Sequence, residues 1–188
     1  MSDVILSSRP LYEGWMNLRM LRLRLGGEEC ERPVVEHPSG SAVLAYDPAR
    51  KVALTVRQTR LAVLHLGHSR FAEPVGGVDE DGDRADTARR EAMEEVGVRL
   101  SAMEHVGTVW MTPASTTERV DLFLAAYAGK DRVAPGGGAA GENEQIDVRE
   151  EPLPDLWQAV ERGEMTDAKL LMLLQALKLR RPELFATD

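Results

Sequence analysis

"GGVDEDGDRADTARREAMEEVGV", residues 76–98, places Glu91, Glu94 and Glu95 on barely more than one helical turn of a chain whose formal charge is already -8. Glu91 precedes the other two at the spacings where like charges on a helix repel by roughly 0.2–0.5 kcal/mol per pair. A compensating partner is therefore expected at this turn. Asp83 suits an N-cap and Gly97 follows the last turn, so the spacing predicts a helix from about Arg84 to Val96. Glu91 and Glu95 then stand one above the other, with Glu94 on the flank. Arg90, one turn before Glu94, is placed to hold that carboxylate. Three hard oxygen donors suit Mg²⁺, or Mn²⁺ in its place, completed by water and substrate phosphate. Gly76 and Gly77 allow either positive φ or a close backbone approach to a ligand, with a backbone carbonyl as a further donor. An "EAMEE" turn alone would read as a solvated acidic face; the glycine flank favours a site.

The rest of the composition limits what that site serves. With 188 residues, 43% hydrophobic and 29% charged, the chain fits one soluble domain with an appendage. The charge of -8 argues against a nucleic-acid partner, because such binding draws on clustered Lys and Arg. A phosphate substrate would need a mediating cation. The single cysteine, Cys30, precludes an internal disulfide framework. The first residues lack a basic segment followed by an apolar run, and no long apolar stretch appears, so a cytoplasmic location without membrane contact is expected.

Working outward, "WMNLRMLRLRL" alternates Arg22 and Arg24 with leucines, and Gly26-Gly27 turns it into "ECERPVVEH". This predicts an antiparallel hairpin over residues 1–37. Isolated hairpins are marginal, so it should join another sheet or a second copy of the chain, making a homodimer. Residues 38–188 would form the main domain. Its expected strands are two around "DPARK", then "HVGTVWM", "RVDLFLAAYA" and "EQIDVREEP". Residues 129–141, rich in Gly and Ala, read as a mobile lid. Pro154 suits a first helical turn, with Leu156, Trp157 and Val160 on one face. Thr166 is the expected cap of a last helix whose core face is Leu170, Leu173, Leu174 and Leu177. Strands mixed with three helices indicate an α/β fold with a mixed sheet. His65 and His68 lack partners at ligand spacing, and Trp15, Trp110 and Trp157 lie in apolar patterns that make them packing residues.

The opening stretch resembles the Nudix box: a glycine, five residues, a glutamate, seven residues, then Arg-Glu-aliphatic-x-Glu-Glu-x-Gly-aliphatic. Arg90 through Val98 match the second half. The first half departs: counting from Gly76 puts Gly82 where the glutamate belongs, and counting from Gly77 puts Asp83 there with six residues before Arg90. The shortened form is similar to that of the GDP-mannose pyrophosphatase branch. "VRQTR", "FAEPVGG", "MTPASTTERVDLFLAAY" and "GEMTDAKLLMLLQAL" resemble segments of the ADP-ribose and GDP-mannose pyrophosphatases.

The resemblance implies an α/β/α sandwich and hydrolysis of the pyrophosphate of a nucleoside diphosphate sugar, yielding a nucleoside monophosphate and a sugar phosphate. A non-catalytic nucleotide sensor, or action on dinucleotides or other nucleoside diphosphate derivatives, are the alternatives. It implies the Gly76 carbonyl, Glu91, Glu94 and Glu95 as metal donors, with Arg90 in the catalytic turn. Glu144 would be the loop base or a further metal ligand, with Glu142 as its substitute. Glu73, Arg57, Arg60, Glu118 and Lys169 are then the expected substrate contacts, and swapping of the N-terminal strands between protomers is implied as well.

Overall fold

The structure, a computed structural model, describes residues 2–79, 82–138 and 145–186. The chain divides into two compact units, Met1–Gly40 with Thr108–Val120, and Ser41–Gly107 with Asp121–Asp188.

In the first unit, β1 (Val4–Tyr12), β2 (Asn17–Leu25) and β3 (Glu28–Glu36) form an antiparallel sheet in that order. The β2–β3 hairpin is the one its alternation predicts, turning at Gly26 and Gly27 with φ of 60° and 99°. Strand β1 was not foreseen, because Ser7, Ser8 and Pro10 break its alternation. Its register with β2 shifts at two places, between Ile5 and Ser7 and between Pro10 and Tyr12. Glu29 faces Arg22 and Arg24 at 2.6 and 2.9 Å. Hydrogen bonds from Arg24 and then Arg22 hold its carboxyl below the ordinary range. Trp15 and Trp110 are corrections: both are exposed. Trp15 meets the His37 ring edge-on, and Arg119 lies over Trp110, so polar neighbours take the place of a core.

A six-stranded sheet falls mostly, though not wholly, within the residues of the second unit. Its strands are β4 (Gly40–Asp47), β5 (Val52–Arg57), β6 (Val75–Val78), β7 (Glu104–Trp110), β8 (Arg119–Ala126) and β9 (Asp147–Pro152). The order is β7-β8-β4-β5-β9, with β6 on β4. Asp47 shapes the β4–β5 turn by accepting from the Ala49 and Arg50 amides. Helix α1 (Leu61–His65) was not foreseen, since it buries none of its residues and so has no apolar stripe. Helix α2 (Arg84–Val96) matches the predicted span. Its Ala88, Ala92 and Val96, all fully buried, recur at i+4 and lie against Val43, Val56, Val75 and Phe123. Those small side chains let the helix approach the sheet closely.

Helices α3 (Leu153–Glu161) and α4 (Ala168–Arg180) follow, with Pro154 in the first turn of α3. Leu170, Leu173, Leu174 and Leu177 of α4 are fully buried; each such burial stabilises by roughly 1.5–3 kcal/mol. The cap of α4 is Asp167, in place of the expected Thr166: its Oδ1 accepts from the Leu170 amide at 2.7 Å. The lid expectation is also corrected for residues 129–138. Gly129–Asp131 form a 3-10 turn, Arg132 bridges Val98, and the Gly137 and Gly138 amides donate to the Glu95 and Glu94 carbonyls at 2.8 and 3.1 Å. Residues 139–141 lie outside the described residues. Among the described residues no helix is long and apolar enough to cross a membrane.

Candidate active site

The acidic turn of α2 is drawn together by one cation. Arg90 stands 2.9 Å from Glu91 Oε1 and 2.9 Å from Glu94 Oε2. Glu95 is only 3% exposed and accepts from the Gly76 amide at 3.1 Å. Gly76 and Gly77 lie in β6, so neither uses the positive φ that their composition allowed; their value is space. A Cβ on Gly76 would enter the Ser41 carbonyl, and one on Gly77 would enter the Glu91 carboxylate. The glycine pair thus brings backbone against the carboxylates of α2.

A second cluster surrounds Glu73, which is 2% exposed. Arg60 donates through Nε to both its oxygens, at 2.9 and 3.0 Å, and Lys169 Nζ lies 3.8 Å away. Lys169 in turn is 2.7 Å from Asp167, the cap of α4. A buried carboxylate costs several kcal/mol unless paired and hydrogen-bonded; these two cations meet that condition for Glu73. Glu73 bridges Val56 on β5 and precedes Gly76 by a short extended run. That run spans roughly 10 Å. The Glu73 cluster and the glycine pair that meets the acidic turn therefore lie along one run of chain.

A third network was not foreseen. Arg84, the first residue of α2, bonds Asp121 Oδ2 and lies 3.4 Å from Asp79 Oδ2. Ser41 Oγ donates to Asp79 Oδ1 at 2.8 Å, and His105 Nε2 is 2.9 Å from Asp121 Oδ1. Asp79 Oδ2 is buried with no hydrogen bond among the described residues, and the Arg84 charge offsets its burial. The departure in the first half of the box lies alongside. Gly82 takes φ of 87°, and Asp83 caps α2 by accepting from the Ala85 and Asp86 amides at 2.9 and 3.3 Å. Only the Asp83 cap was visible beforehand, because the clamp residues are scattered along the sequence.

The other expected residues are dispersed. Arg57 turns to Glu151, 2.9 Å from its Oε1. Glu118 belongs to the first unit, where its carboxylate lies 3.8 Å from His37 Nδ1. Glu144 and Glu142 lie outside the described residues. His65 and His68 are exposed. Among the described residues no three acidic, imidazole or thiolate groups stand as a ready metal-ligand set. The donor chemistry nonetheless fits a hard cation: carboxylate oxygens on one helical turn, with glycine backbone brought close and no sulfur.

An acidic turn facing a glycine pair on a mixed sheet defines the class. The chain belongs to the Nudix family, whose NUDIX domain model matches residues 36–174. Among its relatives, the GDP-mannose pyrophosphatase of Cronobacter sakazakii is 33% identical across 94% of this chain and 95% of that one. That of Klebsiella pneumoniae is 29% identical across 93% and 90%. A crystal structure of an ADP compounds hydrolase superposes with a TM-score of 0.76 over 97% of this chain and 96% of that one. At 16% identity this last likeness speaks for the fold.

Proposed function

We propose that this Nudix hydrolase cleaves the pyrophosphate bond of a nucleoside diphosphate sugar of the GDP-mannose or ADP-ribose type. Water adds to one phosphorus, the bridging oxygen leaves with the other, and a nucleoside monophosphate and a sugar phosphate result. The observation that carries the reading is the Glu91–Glu94–Glu95 turn set against the Gly76–Gly77 backbone. The two GDP-mannose pyrophosphatases that align with nearly the whole chain support the substrate class.

A bound divalent cation, Mg²⁺ or Mn²⁺, supplies Lewis-acid stabilisation of the phosphoryl oxygens and a more acidic water. Glu91, Glu94, Glu95 and the Gly76 carbonyl would hold it, with Glu144 as a further donor or the base. Arg90 acts as the counter-ion of Glu91 and Glu94, and Glu95 is anchored by the Gly76 amide. Arg60 and Lys169, paired with Glu73, supply donors for the diphosphate. Residues 1–37 form the dimerisation region of the reading, and their exposed Val4, Ile5, Leu11 and Tyr12 are the surface it would cover.

The test is phosphate release in the presence of added phosphatase, over GDP-mannose, ADP-ribose, other nucleotide sugars, dinucleotides and nucleoside triphosphates. Turnover of a nucleotide sugar that needs Mg²⁺ supports the reading. Turnover confined to triphosphates, or none at all with tight nucleotide binding, overturns it.

A further inference from the structure

A cavity of ≈ 340 Å³ opens in the second unit beside the β5–β9 edge. Its lining sets the guanidiniums of Arg57 and Arg70 among the carboxylates of Glu151, Asp155 and Glu164. Phe71, Leu156 and Met165 add apolar surface. With carboxylates outnumbering cations, this lining disfavours a phosphate dianion. It suits a neutral ring carrying several hydroxyls, which donate to carboxylates, accept from guanidiniums and rest a C–H face on apolar side chains. The volume lies at the small end for ligand pockets and admits one sugar ring.

The place of the cavity links it to the chemistry. Its lining residues Phe71 and Ala72 run directly into Glu73, and Thr166 runs directly into Asp167. Glu73 and Asp167 are the carboxylates flanking Lys169, at 3.8 and 2.7 Å. The cavity and the cationic cluster therefore share two stretches of chain, 71–73 and 166–167, the first of which continues to the Gly76–Gly77 pair. Arg57 already spends one donor on Glu151 at 2.9 Å, which fixes the plane of its guanidinium and leaves the remaining fork geometry defined.

We infer that this cavity is the subsite for the sugar at the end of the substrate, and that Asp155 and Arg57 select for its hydroxyls. The inference rests on the proposed hydrolysis of nucleotide sugars. It assigns opposite ends of the substrate to different chemistry: the diphosphate to the α2 turn with Arg60 and Lys169, and the uncharged ring to the cavity.

The experiment compares the wild type with Asp155→Ala and Asp155→Asn, checking by circular dichroism that each folds. KM and kcat are measured with GDP-mannose and ADP-ribose, and the affinity for GDP, which lacks the ring, by calorimetry. Loss of a charged hydrogen bond to a hydroxyl is expected to raise KM for the better sugar substrate about tenfold. GDP affinity should stay within about twofold of the wild type, since no contact to the diphosphate is removed. An unchanged KM, or equal losses for GDP and the nucleotide sugar, overturns the subsite. If the wild type turns over no nucleotide sugar, the functional reading fails instead. The cavity is then judged by saturation-transfer NMR with methyl α-mannoside: signal lost in Asp155→Ala supports a sugar site, and equal signal, or none in the wild type, overturns it.

Discussion

Glu95 is held at two levels: its carboxylate takes the Gly76 amide, and its carbonyl takes that of Gly137. Glu95→Gln keeps an oxygen acceptor for Gly76 while removing the charge. Steady-state kinetics should show kcat reduced about 10²–10³-fold, the scale seen when one electrostatic stabiliser is lost, with the melting temperature nearly unchanged. Wild-type turnover in that variant would remove Glu95 from the site. The glycines offer a paired test. Gly77→Ala drives a methyl into the Glu91 carboxylate, so it should lower activity and weaken Mg²⁺ dependence. Gly82→Ala meets open space but must adopt φ of 87°. Its expected effect is about 1 kcal/mol of stability, read by urea titration, with kcat retained.

At the level of elements, the start of α2 hangs on Arg84 between Asp79 and Asp121. Removing one partner of a buried ion network leaves uncompensated charge, so Arg84→Gln should destabilise by about 3 kcal/mol in chemical denaturation. Arg84→Lys should recover part of that. The far end of α4 is tied to β7 through Glu104, which Arg180 and Arg181 meet at 2.8 and 2.7 Å. The Arg181 hydrogen bond, followed by the charges of Arg181 and Arg180, outweighs burial and lowers the Glu104 carboxyl below its ordinary 4.5. A depressed carboxyl contributes stability above its unfolded value and loses it as pH falls through the folded one. Melting curves of wild type and Glu104→Gln should therefore differ most near neutrality and converge below pH 4.5. Elements with a period and a turn signal, such as the β2–β3 hairpin and α2, were legible in the sequence. Helix α1 was not, because nothing in it faces a core, and β6 was not, because two of its residues are glycines whose role depends on Ser41 and Glu91. The Arg84 clamp was equally hidden, since Asp79, His105 and Asp121 meet it only through folding.

For the molecule as a whole, the exposed apolar residues of β1 predict association. Light scattering should give a dimer mass for the full chain and a monomer mass after deletion of residues 1–37; a monomeric full chain would remove the swapped-strand part of the reading. The tethering of residues 137 and 138 to the end of α2 bears on how a chain of net charge -8 tolerates its own acidic turn. Glu94 and Glu95 sit at the negative pole of the α2 macrodipole, where a carboxylate is unfavourable by typically 0.3–1 kcal/mol. The last turn contains no basic residue to soften that pole. The Gly137 and Gly138 amides instead present their partial positive charge to the peptide carbonyls of those same two glutamates. The segment expected as a mobile lid thus meets the end of α2 with two amide dipoles, while Arg90 remains the cation beside Glu91 and Glu94.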